Sequence, residues 1–80
     1  KKTSNEIKIW PNPAEDYLNC HPKKNVEKII IKDLFGKVFK TINSPGNSSI
    51  RISVFNFPAG IYLLQAKSGY DKTEILFVKK

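Results

Sequence analysis

Apolar and polar residues alternate along most of this 80-residue chain, in short runs broken by turn residues. Ile7-Lys8-Ile9-Trp10 alternates and stops at a proline, and Tyr17-Leu18-Asn19-Cys20 alternates and stops near Pro22. Val26 to Lys32 is rich in β-branched residues, and Lys37 to Ile42 carries Val38, Phe39, Thr41 and Ile42. Ile50-Arg51-Ile52-Ser53-Val54 alternates cleanly. Ile61 to Lys67 sets Tyr62, Leu64 and Ala66 on one face, and Thr73 to Lys79 carries Ile75, Leu76, Phe77 and Val78. A period of two is the mark of a strand with one buried face. No helical period lasts three turns, so one short helical turn near Ala14-Glu15-Asp16 or Asn56-Phe57 is the most the pattern allows. Seven short strands divided by turn signals predict an all-β fold, a small Ig-like β-sandwich of about seven antiparallel strands in two sheets.

The alternation also names a core. Ile7, Ile9, Leu18, Ile29, Ile31, Ile52, Val54, Tyr62, Leu64 and Phe77 are expected on the inner faces. The last strand is apolar on both sides from Ile75 to Val78, so its inward face stays open. Turn chemistry fits the strands. Pro11 and Pro13 cannot donate to a ladder and push their predecessors toward extended backbone. Gly36, after Asp33-Leu34-Phe35, suits a positive φ. Asp33 can accept hydrogen bonds from the turn's own N–H groups. Ser44 to Ser49 reads as the longest flexible connection, and Ser68-Gly69-Tyr70-Asp71 as the last hairpin turn.

Composition narrows the class. A 40% hydrophobic, 11% aromatic chain suits a folded domain better than a disordered tail. Its length fits one domain, read as residues 7–80 behind a linker over 1–6. It has no Met, which reads as a piece of a longer protein. No apolar run approaches the roughly 20 residues that a membrane-spanning helix needs. The net charge is +7, yet Arg51 is the sole arginine and the lysines are scattered. A nucleic-acid reader leans on Arg and interleaved aromatics, so no nucleic-acid partner is expected. Solvated faces and protected edges account for the charge best, with attraction to an anionic surface as the sharper alternative.

Candidate chemistry is thin. Cys20 and His21 are each the sole residue of their kind, and neighbours on a strand point to opposite faces. A nucleophile needs a base and an orienting group, and zinc needs more ligands, so no catalytic site, metal or cofactor is expected. Cys20 falls at an apolar position and reads as a buried thiol, with His21 exposed beside Pro22. Glu15 and Asp16 read as solvated. Asn47-Ser48-Ser49 matches a glycosylation acceptor, a pattern common by chance. Trp10, Tyr17 and Tyr70 would be the stacking platform if this were instead a carbohydrate-binding accessory sandwich.

Three phrases remain: Pro11-Asn12-Pro13-Ala14, Asp33-Leu34-Phe35-Gly36-Lys37 and Phe57-Pro58-Ala59-Gly60-Ile61-Tyr62, followed by a Lys79-Lys80 ending. Their order and spacing resemble the C-terminal sorting domain (type A) of proteins exported by the bacterial type IX secretion system of Bacteroidetes. Trp10 stands where that family more often has Tyr, and Phe55 where it has a small polar residue. The resemblance implies a secretion signal with no chemistry of its own. It implies passage through the periplasm to the outer-membrane surface or the medium. The implied partners are the outer-membrane translocon and its shuttle proteins, a sortase-like cysteine protease that removes the domain, and an N-terminal cargo domain. It points to Pro11, Asn12, Pro13, Asp33, Gly36, Lys37, Pro58, Gly60, Tyr62, Lys79 and Lys80 as recognition residues. A long exposed edge strand leaves a weak homodimer open.

Overall fold

The computed structural model describes residues 7–22, 26–46, 48–69 and 71–80. Seven strands form within them: β1 (Lys8–Trp10), β2 (Tyr17–His21), β3 (Lys28–Asp33), β4 (Val38–Asn43), β5 (Ile50–Ser53), β6 (Gly60–Ser68) and β7 (Asp71–Lys79). Each matches one alternating run to within two residues at either end. The expected linker over residues 1–6, the Asn47 acceptor and Tyr70 lie outside the described residues. No helical turn forms at either place where the pattern allowed one. Ala14 is extended and bridges β7, and Phe55-Asn56 is a turn closed by the Phe57 N–H on the Val54 carbonyl at 3.0 Å.

The strands make two antiparallel sheets, β1-β2-β5 and β4-β3-β6-β7. The fold is thus an all-β sandwich of the Ig-like kind, with the fourth strand beside the third. Leu18, Cys20 and Ile52 from the smaller sheet meet Ile29, Ile31, Leu64 and Phe77 from the larger one in a single cluster. All are essentially excluded from solvent. The expected core holds except at Ile9, which is half-buried because β1 is a three-residue edge strand. Ala14 and Val26 are buried although their sequence setting did not mark them. Register resolves the last strand. Phe77 lies opposite Tyr62 and Ile75 opposite Leu64, so these face inward and Leu76 and Val78 face out.

The 44–49 connection is no longer than the links before β2, β3 and β6. The β6–β7 hairpin closes where expected, with Ser68 opposite Asp71. Cys20 is the buried thiol expected, and desolvation pushes it up to about 11 from 9.0. His21 is exposed, with its Nδ1 2.9 Å from the Ser49 hydroxyl.

Two outcomes follow from this core. A chain of this size has roughly 4–12 kcal/mol of stability in hand. Phe77→Ala will cost about 3–5 kcal/mol, whereas Phe35→Ala, at a residue 95% exposed, will shift stability by less than about 0.5 kcal/mol. Urea unfolding followed through Trp10 fluorescence distinguishes them, and equal midpoints would contradict the assigned core. The second outcome concerns Cys20. Its folded pKa is raised, so the protonated thiol's contribution is complete below pH 9 and declines as pH rises toward 11. The stability gap between the parent and Cys20→Ala will therefore narrow across that window, read from urea midpoints at each pH.

Candidate functional site

The first phrase works through backbone groups. Pro11 and Pro13, both following cis bonds, have no N–H to offer, which leaves Asn12 and Ala14 to make the contacts. Asn12 Oδ1 accepts the Val78 N–H at 2.9 Å. The Ala14 N–H donates to the Val78 carbonyl, and the Ala14 carbonyl accepts the Lys80 N–H, each at 2.8 Å. Ala14 thus forms a parallel bridge with Lys79 at the edge of β7, and its methyl is fully buried. Lys79 is also buried, contrary to a solvated reading, and its Nζ donates to the Lys80 carbonyl at 2.9 Å. Lys80 stays exposed, 3.6 Å from the Glu15 carboxylate. Both partners of that pair are solvated, so it contributes little.

The second phrase is the tight turn from β3 to β4. Asp33 Oδ1 accepts the N–H groups of Phe35 and Lys37, each at 2.9 Å. The Gly36 N–H donates to the Asp33 carbonyl at 3.2 Å, and the Asp33 N–H to the Lys37 carbonyl at 3.0 Å. Gly36 has φ +94°, which a side chain would strain. This leaves Leu34 and Phe35 standing in solvent at the tip.

The third phrase is fixed by aromatic packing. The Tyr62 hydroxyl donates to the Pro58 carbonyl across the turn. Its ring meets Phe39 edge-on with centroids 5.2 Å apart, Phe57 at 5.3 Å and Phe77 stacked at 5.6 Å. Lys37 Nζ lies 5.1 Å from the Phe39 centroid, so the second phrase touches the same cluster. Burial, and then the nearby Asp33 charge, raise the Tyr62 hydroxyl above its ordinary range and keep it a donor.

Register brings the three phrases together. Lys79 bridges Ala14 on one side and pairs with Gly60 on the other. In the adjacent inward row, Phe77 pairs with Tyr62 and Tyr62 with Asp33. The turns and strand ends bearing Pro11, Asn12 and Pro13, then Asp33, Gly36 and Lys37, then Pro58, Gly60 and Tyr62, and finally Lys79 and Lys80, all meet at one end of the sandwich. Sequence reasoning gave no joining role to Ala14, Phe39, Phe57 or Phe77, although Ala14 and Phe57 stand within the phrases. Phe77 was expected in the core but not as part of this cluster, and nothing local marks Ala14.

Of the remaining candidates, Tyr17 borders this end, lining a shallow hollow with Pro11, Pro13, Arg51 and Lys80. Among the described residues no group of three His, Cys, Asp or Glu side chains could hold a metal ion. Trp10 and Tyr17 share the outer face of the smaller sheet, but the Arg51 guanidinium lies over the Tyr17 ring at 5.1 Å. Tyr70, the third member of the stacking platform, is outside the described residues.

The molecule is a small sandwich that gathers its three turn phrases at one end, with most of their polar groups engaged in holding those turns. The chain is matched over residues 8–80 by the family model described as the secretion system C-terminal sorting domain. It therefore belongs to that family, the sorting domains of type IX secretion, which are secretion signals and not a family of catalysts. No curated protein matches the chain.

The turn geometry makes a prediction. Asn12→Ala will lose the cap on Val78 and about 0.5–1.5 kcal/mol. Gly36→Ala will lose about 1–2 kcal/mol through left-handed strain. Urea unfolding measures both. Amide hydrogen exchange separates them, because Asn12→Ala should speed exchange at Val78 and Ala14 while leaving the Lys37 amide unchanged.

Proposed function

We propose that the loop end is the address that the type IX machinery reads. The supporting observation is the convergence of all three phrases with Lys79 and Lys80 on one end of the sandwich. In this reading the domain, over residues 7–80, folds in the periplasm behind an N-terminal cargo domain. Shuttle proteins and the outer-membrane translocon bind the loop end and carry the cargo to the surface or the medium. A sortase-like cysteine protease then cuts at or before the 1–6 stretch. Lys37 and Lys80 offer exposed charge to the partner. Asn12, Asp33, Gly36 and Tyr62 hold the surface in shape, and Pro11, Pro13, Pro58, Gly60 and Lys79 fix the turns they sit in.

The test is secretion itself. Residues 1–80 are fused behind an exported fluorescent protein, in a bacterium with a working type IX system and in a strain lacking its translocon. Fluorescence should reach the surface or medium in the first strain alone. A Lys37→Gln, Lys80→Gln double variant, at two exposed residues, should lower secretion several-fold. Periplasmic retention of the parent fusion in both strains would overturn the reading.

A further inference from the structure

The outer face of the larger sheet carries groups that the loop end does not use. Register sets Lys28, Lys67 and Lys72 side by side across β3, β6 and β7. Like charges directly opposite one another destabilise a sheet, so this row breaks a local rule of pairing. Natural proteins break such local rules chiefly at functional or strained sites. Lys32 lies on the same face, two pairs further along β3.

The described carboxylate on this face is Glu74. It accepts a hydrogen bond from Gln65 Nε2 and lies 3.7 Å from Lys72 Nζ. That hydrogen bond first, then Lys72 and Lys32, hold its carboxyl below the ordinary range, so it is ionised. Four lysines still face one carboxylate, which leaves the basic row in excess.

Toward the loop end the same face becomes apolar. Ile61 and Val78 pair across β6 and β7, with Leu76 next in line, and all three are exposed. At the same end of the sheet, the β3–β4 turn holds Phe35 in solvent on a hairpin pinned by Asp33. Contiguous exposed apolar surface marks a protein or membrane contact. A partner matching the whole face must place anionic groups beside apolar volume. A soluble polyanion supplies the first and not the second. Lysine heads on flexible stems suit phosphate headgroups as point charges, and they lack the planar fork that reads bases or paired carboxylates. An anionic bilayer supplies both parts at once.

We propose that the outer face of the β4-β3-β6-β7 sheet docks on an anionic phospholipid surface. The lysine row rests on the headgroup phosphates, and Phe35, Leu76 and Val78 enter the headgroup–acyl boundary. Binding of this kind sums apolar burial and electrostatic attraction. The proposal stands apart from the secretion reading, since vesicle binding requires no translocon and its failure would leave that reading untouched.

The experiment is co-sedimentation of the 80-residue protein with vesicles of phosphatidylethanolamine and phosphatidylglycerol, against vesicles of phosphatidylcholine. The parent should partition to the anionic vesicles and be released by salt. Lys28→Gln, Lys67→Gln and Lys72→Gln together should weaken partitioning at least about tenfold, since each lysine near such a surface is worth about 1 kcal/mol. Phe35→Ser, at an exposed site that the fold does not need, should weaken it several-fold while leaving the salt dependence in place. Circular dichroism confirms that each variant is folded. Three results would overturn the proposal: no binding, equal binding to neutral vesicles, or variants that bind like the parent. Retention on heparin without vesicle binding would redirect the lysine row to a soluble polyanion.

Discussion

Ala14 lies between the two sheets, belonging to the smaller by sequence and to the larger by hydrogen bonding. Its N–H and carbonyl both pair with the far edge of β7, to Val78 and Lys80. With Asn12 beside it, this short segment covers the end of an edge strand that would otherwise show unpaired backbone. The loop end depends on that contact. It fixes Lys79 against Gly60, so the turn before β6 starts from a fixed position. Through the Phe77–Tyr62 stack it is also linked to the turn after β3. Without the bridge the two sheets would rely mainly on apolar packing and their connecting loops, and packing does not specify direction as hydrogen bonds do.

Much of this architecture was legible in the chain. Alternation located every strand, because each strand buries one face and solvates the other. Asp33 and Gly36 announced their turn, because one supplies the acceptor and the other the φ that the backbone requires. The inward face of β7 was not legible. Ile75, Leu76, Phe77 and Val78 are all apolar, and pairing with β6 decides among them. Nor could the sequence place Ala14. Its burial comes from a partner 65 positions away along the chain (Lys79), and no local periodicity encodes such a contact. The candidate site divides in the same way. The turn residues could be named from the sequence, while their assembly on one end depends on long-range register.

Most polar groups at the loop end are occupied with structure. Asp33 caps its own turn, Tyr62 reaches back to Pro58, and Asn12 holds Val78. What is left for a partner is shape, the exposed side chains at the tips, and a few solvated charges. This fits a secretion signal, whose task is to be distinguished among many folded surfaces and not to transform a substrate. Cys20, the sole thiol, is sealed in the core by its inward position on β2, and desolvation keeps it protonated.

The Asn12–Val78 hydrogen bond joins residues 66 apart. In kinetic terms the loop end therefore has a high contact order. Closing a loop of that span costs chain entropy before any contact at its ends is rewarded, and such closures come late. An incomplete or partly folded chain can hold every turn phrase and still lack the surface they form together. If the assembled end is the surface read by a partner, as proposed, that partner would select for finished molecules, and the topology itself would serve as the check on folding.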